Sequence, residues 1–376
     1  MSKITGPYRA DQVGSLLRTQ AIHDARKKKA AGEITDAELK SIEDQEILTI
    51  VKKQAEIGLK SLTDGEFRRS WYMHDFFYGL IGIEKVITEA GCKFNACETR
   101  PEGIHVSGRV AYNPDHPFFS HFDYLKSVVP EGCVAKMTIP SCAILLDQYV
   151  LYGTYPPVKY SNEEEYLLEV AQTYNQTIKE FYRRGCRYLQ LDDTTWGGII
   201  TVLLSPAPDA VKEAVREKAQ RLVRVTNLAL EGIPDDLLIS LHICRGNYKS
   251  DFLFSGAYNC VSEYLAQLNV DGYFLEYDNE RAGGFDALEA IAKADTAGKK
   301  RVVLGVFTSK EAKLENEDEI KARIDEAAKY FPKERLCLSA QCGFASTEEG
   351  NCLTEEEQFA KLSLIVKVAK DVWGSI

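Results

Sequence analysis

The run Leu238-Ile239-Ser240-Leu241-His242-Ile243-Cys244-Arg245-Gly246-Asn247 decides how this chain is read. Its apolar first half reads as a buried strand, and Arg-Gly-Asn reads as the loop that follows. Residues i and i+2 of a strand point the same way, so His242 and Cys244 share a face at a strand's C-terminal end. An imidazole and a thiol so placed are half of a tetrahedral zinc site. Taken alone, the pair is equally well a buried thiol beside a hydrogen-bonded histidine.

Working outward, the same kind of short apolar run recurs at Arg9–Ser15, Leu59–Gly65, Val134–Ile139, Tyr188–Asp192, Tyr273–Glu276, Val302–Val306 and Leu336–Ala340. Longer amphipathic stretches separate most of them. One of these, Asn162–Arg184, begins with three glutamates and ends with two arginines, the charge order that a helix dipole favours. Eight strands alternating with helices predict an α/β fold, a (β/α)8 TIM barrel, over residues 1–376 as one domain. A doubly wound open sheet is the alternative, but no Gly-x-Gly-x-x-Gly follows the first strand. Residues 67–132 are too long for a simple connection. Within them Gly103–Ala111 alternates like part of a hairpin, so this segment is expected to be an insertion after the second strand that walls the active-site mouth.

Composition narrows the classes of function. The 376 residues are 45% hydrophobic and carry a net charge of −10, with no basic block. Nucleic acid and anionic membrane are therefore not expected as partners. Lys27-Lys28-Lys29 and the acidic run Glu315–Glu319 read as solvated helix faces. No apolar run reaches the length of a membrane span, and the first residues carry no signal-peptide core, so cytoplasm is expected. The ten cysteines then read as buried thiols or metal ligands rather than disulfides. Oligomerisation is left open.

In a barrel the C-terminal strand ends meet on one face, where chemistry sits. Besides His242 and Cys244, that rim would collect Gly14-Ser15, Asp64-Gly65-Glu66 with Arg69, Asp192-Asp193, Glu276 and Cys342-Gly343. His242, Cys244, Glu276 and Cys342 form an N, S, O, S donor set that suits Zn2+ best. Exchanging Glu276 for an incoming thiolate leaves the formal charge of such a site unchanged. Coordination would hold the substrate thiol deprotonated, ready for alkyl transfer. Glu66 and Asp192 suit an ammonium group, although Glu66 could instead pair with Arg68 or Arg69. The backbone amides of Gly14 and Ser15, with the Ser15 hydroxyl, suit a carboxylate. A thiol with both groups describes homocysteine or cysteine.

These motifs resemble the catalytic barrel of the cobalamin-independent methionine synthase family, and more closely its short, single-barrel relatives. The matching stretches are Val13-Gly14-Ser15, Asp64-Gly65-Glu66-Phe67-Arg68-Arg69, Gln190-Leu191-Asp192-Asp193, His242-Ile243-Cys244, Glu276 and Gln341-Cys342-Gly343, in family order along nearly the whole chain. The resemblance implies a (β/α)8 barrel with zinc ligands at His242, Cys244, Glu276 and Cys342. It implies homocysteine contacts at Gly14, Ser15, Glu66 and Asp192, and methyl transfer that yields methionine, with 5-methyltetrahydrofolate as one candidate donor. The chain departs from the family in three respects. It starts within the catalytic half, without the extra barrel of full-length members. The family histidine after the seventh strand is replaced by Val306-Phe307-Thr308-Ser309-Lys310. The family tryptophan beside the folate ring has no counterpart in Thr138-Ile139-Pro140-Ser141-Cys142. Trp71, Trp196 or the cluster Tyr72, Phe76, Phe77 and Tyr78 could replace that tryptophan or could pack the insertion. Asp193 is the remaining candidate for a catalytic acid. Two other readings stand beside this one: a zinc alkyltransferase acting on another thiol, of the epoxide:coenzyme M type, and a closed, non-catalytic zinc module. A sulfonate-bearing thiol would call for an arginine where Glu66 and Asp192 stand.

Overall fold

The computed structural model describes residues 6–152, 157 and 159–376. Residues 1–5, part of the stretch read as lacking a signal-peptide core, lie outside the described residues. The described strands are β1 (Ser61–Leu62), β2 (Ile81–Ile87), β3 (Glu102–Ala111), β4 (Val134–Pro140), β5 (Tyr188–Asp193), β6 (Leu238–Ile243), β7 (Asn247–Tyr248), β8 (Asp251–Phe252), β9 (Gly272–Glu276), β10 (Arg301–Phe307) and β11 (Leu336–Ala340). Seven of them form one parallel sheet in the order β1-β4-β5-β6-β9-β10-β11. The sheet curls into a TIM-like barrel with helices outside. β5, β6, β9 and β11 are buried along their whole length, as expected of parallel strands covered on both faces.

The first strand expected from the sequence is present only as a seam. Ala10 makes a single parallel bridge to Leu338, and Asp11 N donates to Leu338 O at 2.9 Å. On the other side the contacts to β1 run mostly through side chains. Gln12 Nε2 donates to Ser61 O at 3.0 Å, and Thr63 Oγ1 donates to Gly14 O at 2.7 Å. The reason is local. Gly14 has φ 144°, and a Cβ there would lie 2.6 Å from Thr138 Cγ2, so the segment turns out of strand geometry where the rim begins. The run Leu59–Gly65 is likewise shorter than expected, with ladder pairing only at Ser61 and Leu62.

The helix Glu163–Arg183 starts on Asn162, whose side chain caps Glu165 N at 2.9 Å, and it buries Tyr166, Val170, Tyr174, Ile178 and Phe181. Helix Glu317–Ala327 is capped by Asn316, so the acidic run does begin a helix. Inside the barrel, Val13, Phe274, Val303 and Cys337 form a small apolar cluster. Below it Lys136 is fully buried, with Nζ 3.2 Å from Asp11 Oδ1 and 4.1 Å from the Phe274 ring centroid. Among the described residues no helix is long and apolar enough to cross a membrane.

Between β1 and β4 the chain builds the antiparallel hairpin β2–β3, which contains the alternating run 103–111, and the helix Pro117–Val128. Residues 70–72 run antiparallel to 346–348. Tyr72 N donates to Ser346 O at 3.0 Å and Glu348 N to Ser70 O at 2.9 Å. The loop beyond β2 reaches the β7–β8 hairpin, where Asn95 Nδ2 donates to Phe252 O at 2.8 Å and Ala96 N to Asp251 Oδ2 at 2.7 Å.

Candidate metal centre

β6 ends at Ile243, and Cys244 N still donates to Asp193 O at 2.8 Å, so the chain stays extended for one residue beyond the strand. This keeps His242 and Cys244 on one face. Glu276 closes β9, and Cys342 follows β11. The nitrogen, sulfur and oxygen donor atoms of His242, Cys244, Glu276 and Cys342 all lie within 4.8 Å of one another, and all four residues are buried. Among the described residues, neither ring nitrogen of His242 has a hydrogen-bond partner, although both are buried. Buried polar atoms are almost always paired, so an orphaned imidazole facing two thiols and a carboxylate is what a cation-binding group requires. The four residues can hold a metal ion.

Neighbouring groups orient the donors. Glu276 Oε1 accepts from Arg245 N and from Asn247 Nδ2, both at 2.8 Å, and Oε2 lies 3.1 Å from Arg281 Nη2. Asn247 Nδ2 is also 3.6 Å from Cys244 Sγ. Gln341 Nε2 donates to Asn247 Oδ1 at 3.3 Å and to Ser309 Oγ at 3.0 Å. Such second contacts fix ligand geometry. Sequence reasoning missed Asn247, Arg281 and Ser309 in this role. Asn247 lay within the opening motif, five residues from His242, and Gly246, with φ 70°, turns it inward.

The electrostatics show a site short of positive charge. The two thiols lie 3.7 Å apart. The hydrogen bond from Cys342 holds Cys244 well below the ordinary thiol range, and the same bond holds Cys342 well above it. Burial pushes Glu276 up to about 7, helped by the charge of Cys244. Burial disfavours the charged form of His242, but Cys244, Asp192 and Glu276 outweigh it and its pKa is raised. A cation among these donors would relieve their repulsion.

Next to the donors lies a narrow cleft of about 20 Å³ whose lining includes Ser15, Glu66, Asp192, His242, Cys244 and Cys342. Glu66 sits at φ 61°, a left-handed conformation unusual for a residue with a side chain. Its Oε1 accepts from Thr138 Oγ1 at 2.8 Å and lies 3.4 Å from Arg69 Nη1, while Oε2 is buried with no partner among the described residues. The Arg69 pairing weighed from the sequence is therefore present, and one carboxylate oxygen is left over. Arg68 goes elsewhere, to Glu43 and Asp44. Asp192 Oδ1 accepts from Gln190 Nε2 at 2.7 Å, and burial raises Asp192 to about 7. A Cβ at Gly343 would lie 1.9 Å from Ser15 Oγ, so the glycine after Cys342 makes room for that hydroxyl. Gly14 does not line the cleft; it lies behind, against Thr138 and Glu66. Asp193 stands apart too. Its Oδ1 accepts from Thr195 N at 2.8 Å and from Thr195 Oγ1 at 2.5 Å at the start of helix Thr195–Leu204.

A larger chamber of about 350 Å³ adjoins the cleft, and Tyr72, Cys244 and Ser346 border both spaces. Of the aromatic residues considered from the sequence, Trp71 and Tyr72 line this chamber, whereas Trp196, Phe76 and Phe77 are fully buried core. Phe94 from the insertion, Tyr248 from β7 and Phe254 complete its aromatic lining. Phe94 and Tyr248 pack with centroids 5.6 Å apart.

The family described as cobalamin-independent synthase, catalytic domain, matches residues 9–371, and the chain belongs to it. It is 44% identical to the uncharacterized protein YxjH of Bacillus subtilis over 373 residues, covering 98% of this chain and 95% of that relative. A 5-methyltetrahydropteroyltriglutamate–homocysteine methyltransferase from Thermotoga petrophila is 24% identical over 331 residues, 88% of this chain and 40% of the longer relative. Among solved structures, a Listeria monocytogenes protein assigned as a vitamin-B12-independent methionine synthase superposes with TM-score 0.75 at 38% identity, covering 98% of this chain and 99% of that one. A B12-independent methionine synthase from Shewanella sp. W3-18-1 in complex with selenomethionine shares the fold, with TM-score 0.69 at 18% identity and 98% coverage of both chains.

Proposed function

We propose that the protein is a zinc-dependent methyltransferase that methylates the thiol of homocysteine to give methionine, in the cytoplasm. The observation that carries this reading is the buried cluster of His242, Cys244, Glu276 and Cys342, with its orphaned imidazole and its two adjoining thiols. Those four residues would hold the ion, which would keep a substrate thiol deprotonated near neutral pH. Glu276 is the ligand suited to give way, because exchanging it for an incoming thiolate leaves the formal charge of the site unchanged, and Arg281 is at hand to pair with the displaced carboxylate.

The unpartnered oxygen of Glu66, with Asp192 across the same cleft, would take the ammonium group of the amino acid. Ser15, which lines the cleft, would take its carboxylate, and Gly14, behind the cleft, would shape the turn that presents it. Admitting the amino acid to so narrow a cleft requires Tyr72 to shift; among the described residues its hydroxyl makes one contact, at 3.5 Å to Thr194 Oγ1. The insertion 67–132 then walls the mouth and keeps water from the nucleophile. Two carboxylates where a sulfonate would need an arginine argue against the coenzyme M type of substrate. Methionine measured by mass spectrometry from zinc-loaded protein, homocysteine and a panel of methyl donors tests the reading. Product that disappears with a chelator is the expected result. Zinc-loaded protein that neither binds homocysteine nor forms methionine with any donor would refute it.

A further inference from the structure

The chamber beside the cluster is not used by the thiol half of the reaction. Since Cys244, Tyr72 and Ser346 border both spaces, a molecule in the chamber meets a thiol held at the cluster. Five aromatic residues, Trp71, Tyr72, Phe94, Tyr248 and Phe254, dominate its lining. Its charged groups and most of its hydroxyls are engaged with one another or with neighbours. Lys218 and Asp147 form an ion pair, and the Tyr248 hydroxyl donates to Glu349 at 3.3 Å. Asn247 is bound to Glu276, and Asp193 is tied to Thr195 outside the lining. Among the described residues, no carboxylic acid or imidazole in the lining is free to hand a proton to a departing group.

A methyl donor whose leaving group departs as an anion needs such a proton, and one whose leaving group departs neutral does not. We propose that the chamber binds a methyl sulfonium compound, and that its S-methyl group is what the homocysteine thiolate takes. This rests on reading the cluster as a thiol-activating centre. The thiolate sulfur forms a bond to the methyl carbon as the carbon–sulfonium bond breaks. The bonding pair stays with the departing sulfur, the negative and positive charges cancel, and two neutral thioethers result without proton transfer. Because charge disappears on the way to the transition state, apolar walls that exclude water favour this transfer. The same walls would oppose a step that builds an anion on the leaving group. Aromatic faces also attract onium cations. Arg100 and Lys249 already sit over Trp71 and Tyr248, 5.2 and 5.3 Å from the centroids, so recognition of a ligand cation falls on Tyr72, Phe94 and Phe254.

Calorimetric binding of dimethylsulfoniopropionate to zinc-loaded protein, set against its uncharged carbon isostere 4-methylpentanoate, reads recognition of the cation directly. Mass spectrometry of methionine formed from homocysteine and methyl-labelled dimethylsulfoniopropionate or S-methyl-L-methionine reads the transfer. We expect the sulfonium to bind about tenfold tighter than the isostere or better, with that preference lost in Phe254→Ala and in the milder Phe94→Leu. We expect labelled methionine from a sulfonium. Equal binding of sulfonium and isostere, or no labelled methionine from either sulfonium, overturns the proposal. A cobalt-substituted protein titrated with homocysteine separates the two readings. A spectrum that shifts while sulfoniums fail leaves the thiol centre standing, whereas an unmoved spectrum removes the thiol reading itself.

Discussion

The cleft that holds the metal donors and the chamber beside it differ in how they are built. Every donor in the cleft sits at or just past the end of a barrel strand, and Asn247, itself held by Gln341, donates to Glu276 and reaches Cys244. The chamber is assembled from segments far apart in the chain, namely 71–99, 144–147, 194–202, 218, 244–254 and 346–347. Its lining is mostly apolar. A rigid polar site made by the scaffold and an apolar one made by its loops suit different tasks. On the proposed reading, the first would place a nucleophile, and the second would select and dry its partner.

Substitutions that separate the two regions sharpen this contrast. Cys342→Ser removes one of two adjacent thiols, and zinc retained after dialysis, measured by mass spectrometry, is expected to fall to background. Full occupancy would break the ligand assignment. Glu66→Gln removes a charge facing the cleft and is expected to raise the homocysteine KM roughly ten- to hundredfold, as loss of a charge-assisted hydrogen bond does, with zinc content unchanged. Gly198→Leu should act on the other region. Its Cβ would stand 3.9 Å from the Phe254 ring, so the added side chain grows into the chamber. The donor KM is expected to rise about tenfold while homocysteine binding stays as it was. If both KM values rose together, the two regions would not be separable.

The smallest effect expected is on stability. Burial raises Asp193 from 3.8 to about 6, so the folded protein keeps a proton that the unfolded chain has lost between those values. Stability should therefore fall as pH rises through that window, by about 3 kcal/mol at most from this group. An Asn amide oxygen accepts hydrogen bonds as a carboxylate oxygen does, so Asp193→Asn should keep the bonds to Thr195. Urea unfolding of this variant between pH 4 and 6 is expected to show a flatter dependence than the parent. An unchanged slope would mean that the carboxyl does not titrate there.

The same contrast decides what could be read from the sequence. The barrel and the four donors were legible because strands announce themselves as apolar runs and their ends carry the chemistry. His242 and Cys244 needed only the two-residue period of a strand. The first strand was misread because Arg9–Ser15 has the composition of a strand, whereas its pairing is one bridge at Ala10 and side-chain bonds at Gln12 and Thr63. No periodicity encodes those contacts. The chamber was illegible for a related reason. Its β7–β8 hairpin turns at Lys249 and Ser250, with φ 48° and 66°, where a type I′ turn is normally marked by Asn-Gly. Phe94 and Phe254, about 160 residues apart in the chain, line one space because the insertion folds back to that hairpin. Asp193 looked like an acid beside the site because it follows Asp192, but successive strand residues face opposite ways, and its carboxylate went to the helix start instead.

Zinc K-edge X-ray absorption on the zinc-loaded protein, with and without homocysteine, tests the central claim most directly. The account expects two sulfur neighbours at about 2.3 Å from Cys244 and Cys342, completed by nitrogen and oxygen, and a third sulfur in place of the oxygen when homocysteine is added. A sulfur count that does not change with homocysteine would contradict it and leave a closed site with no part in activating a thiol.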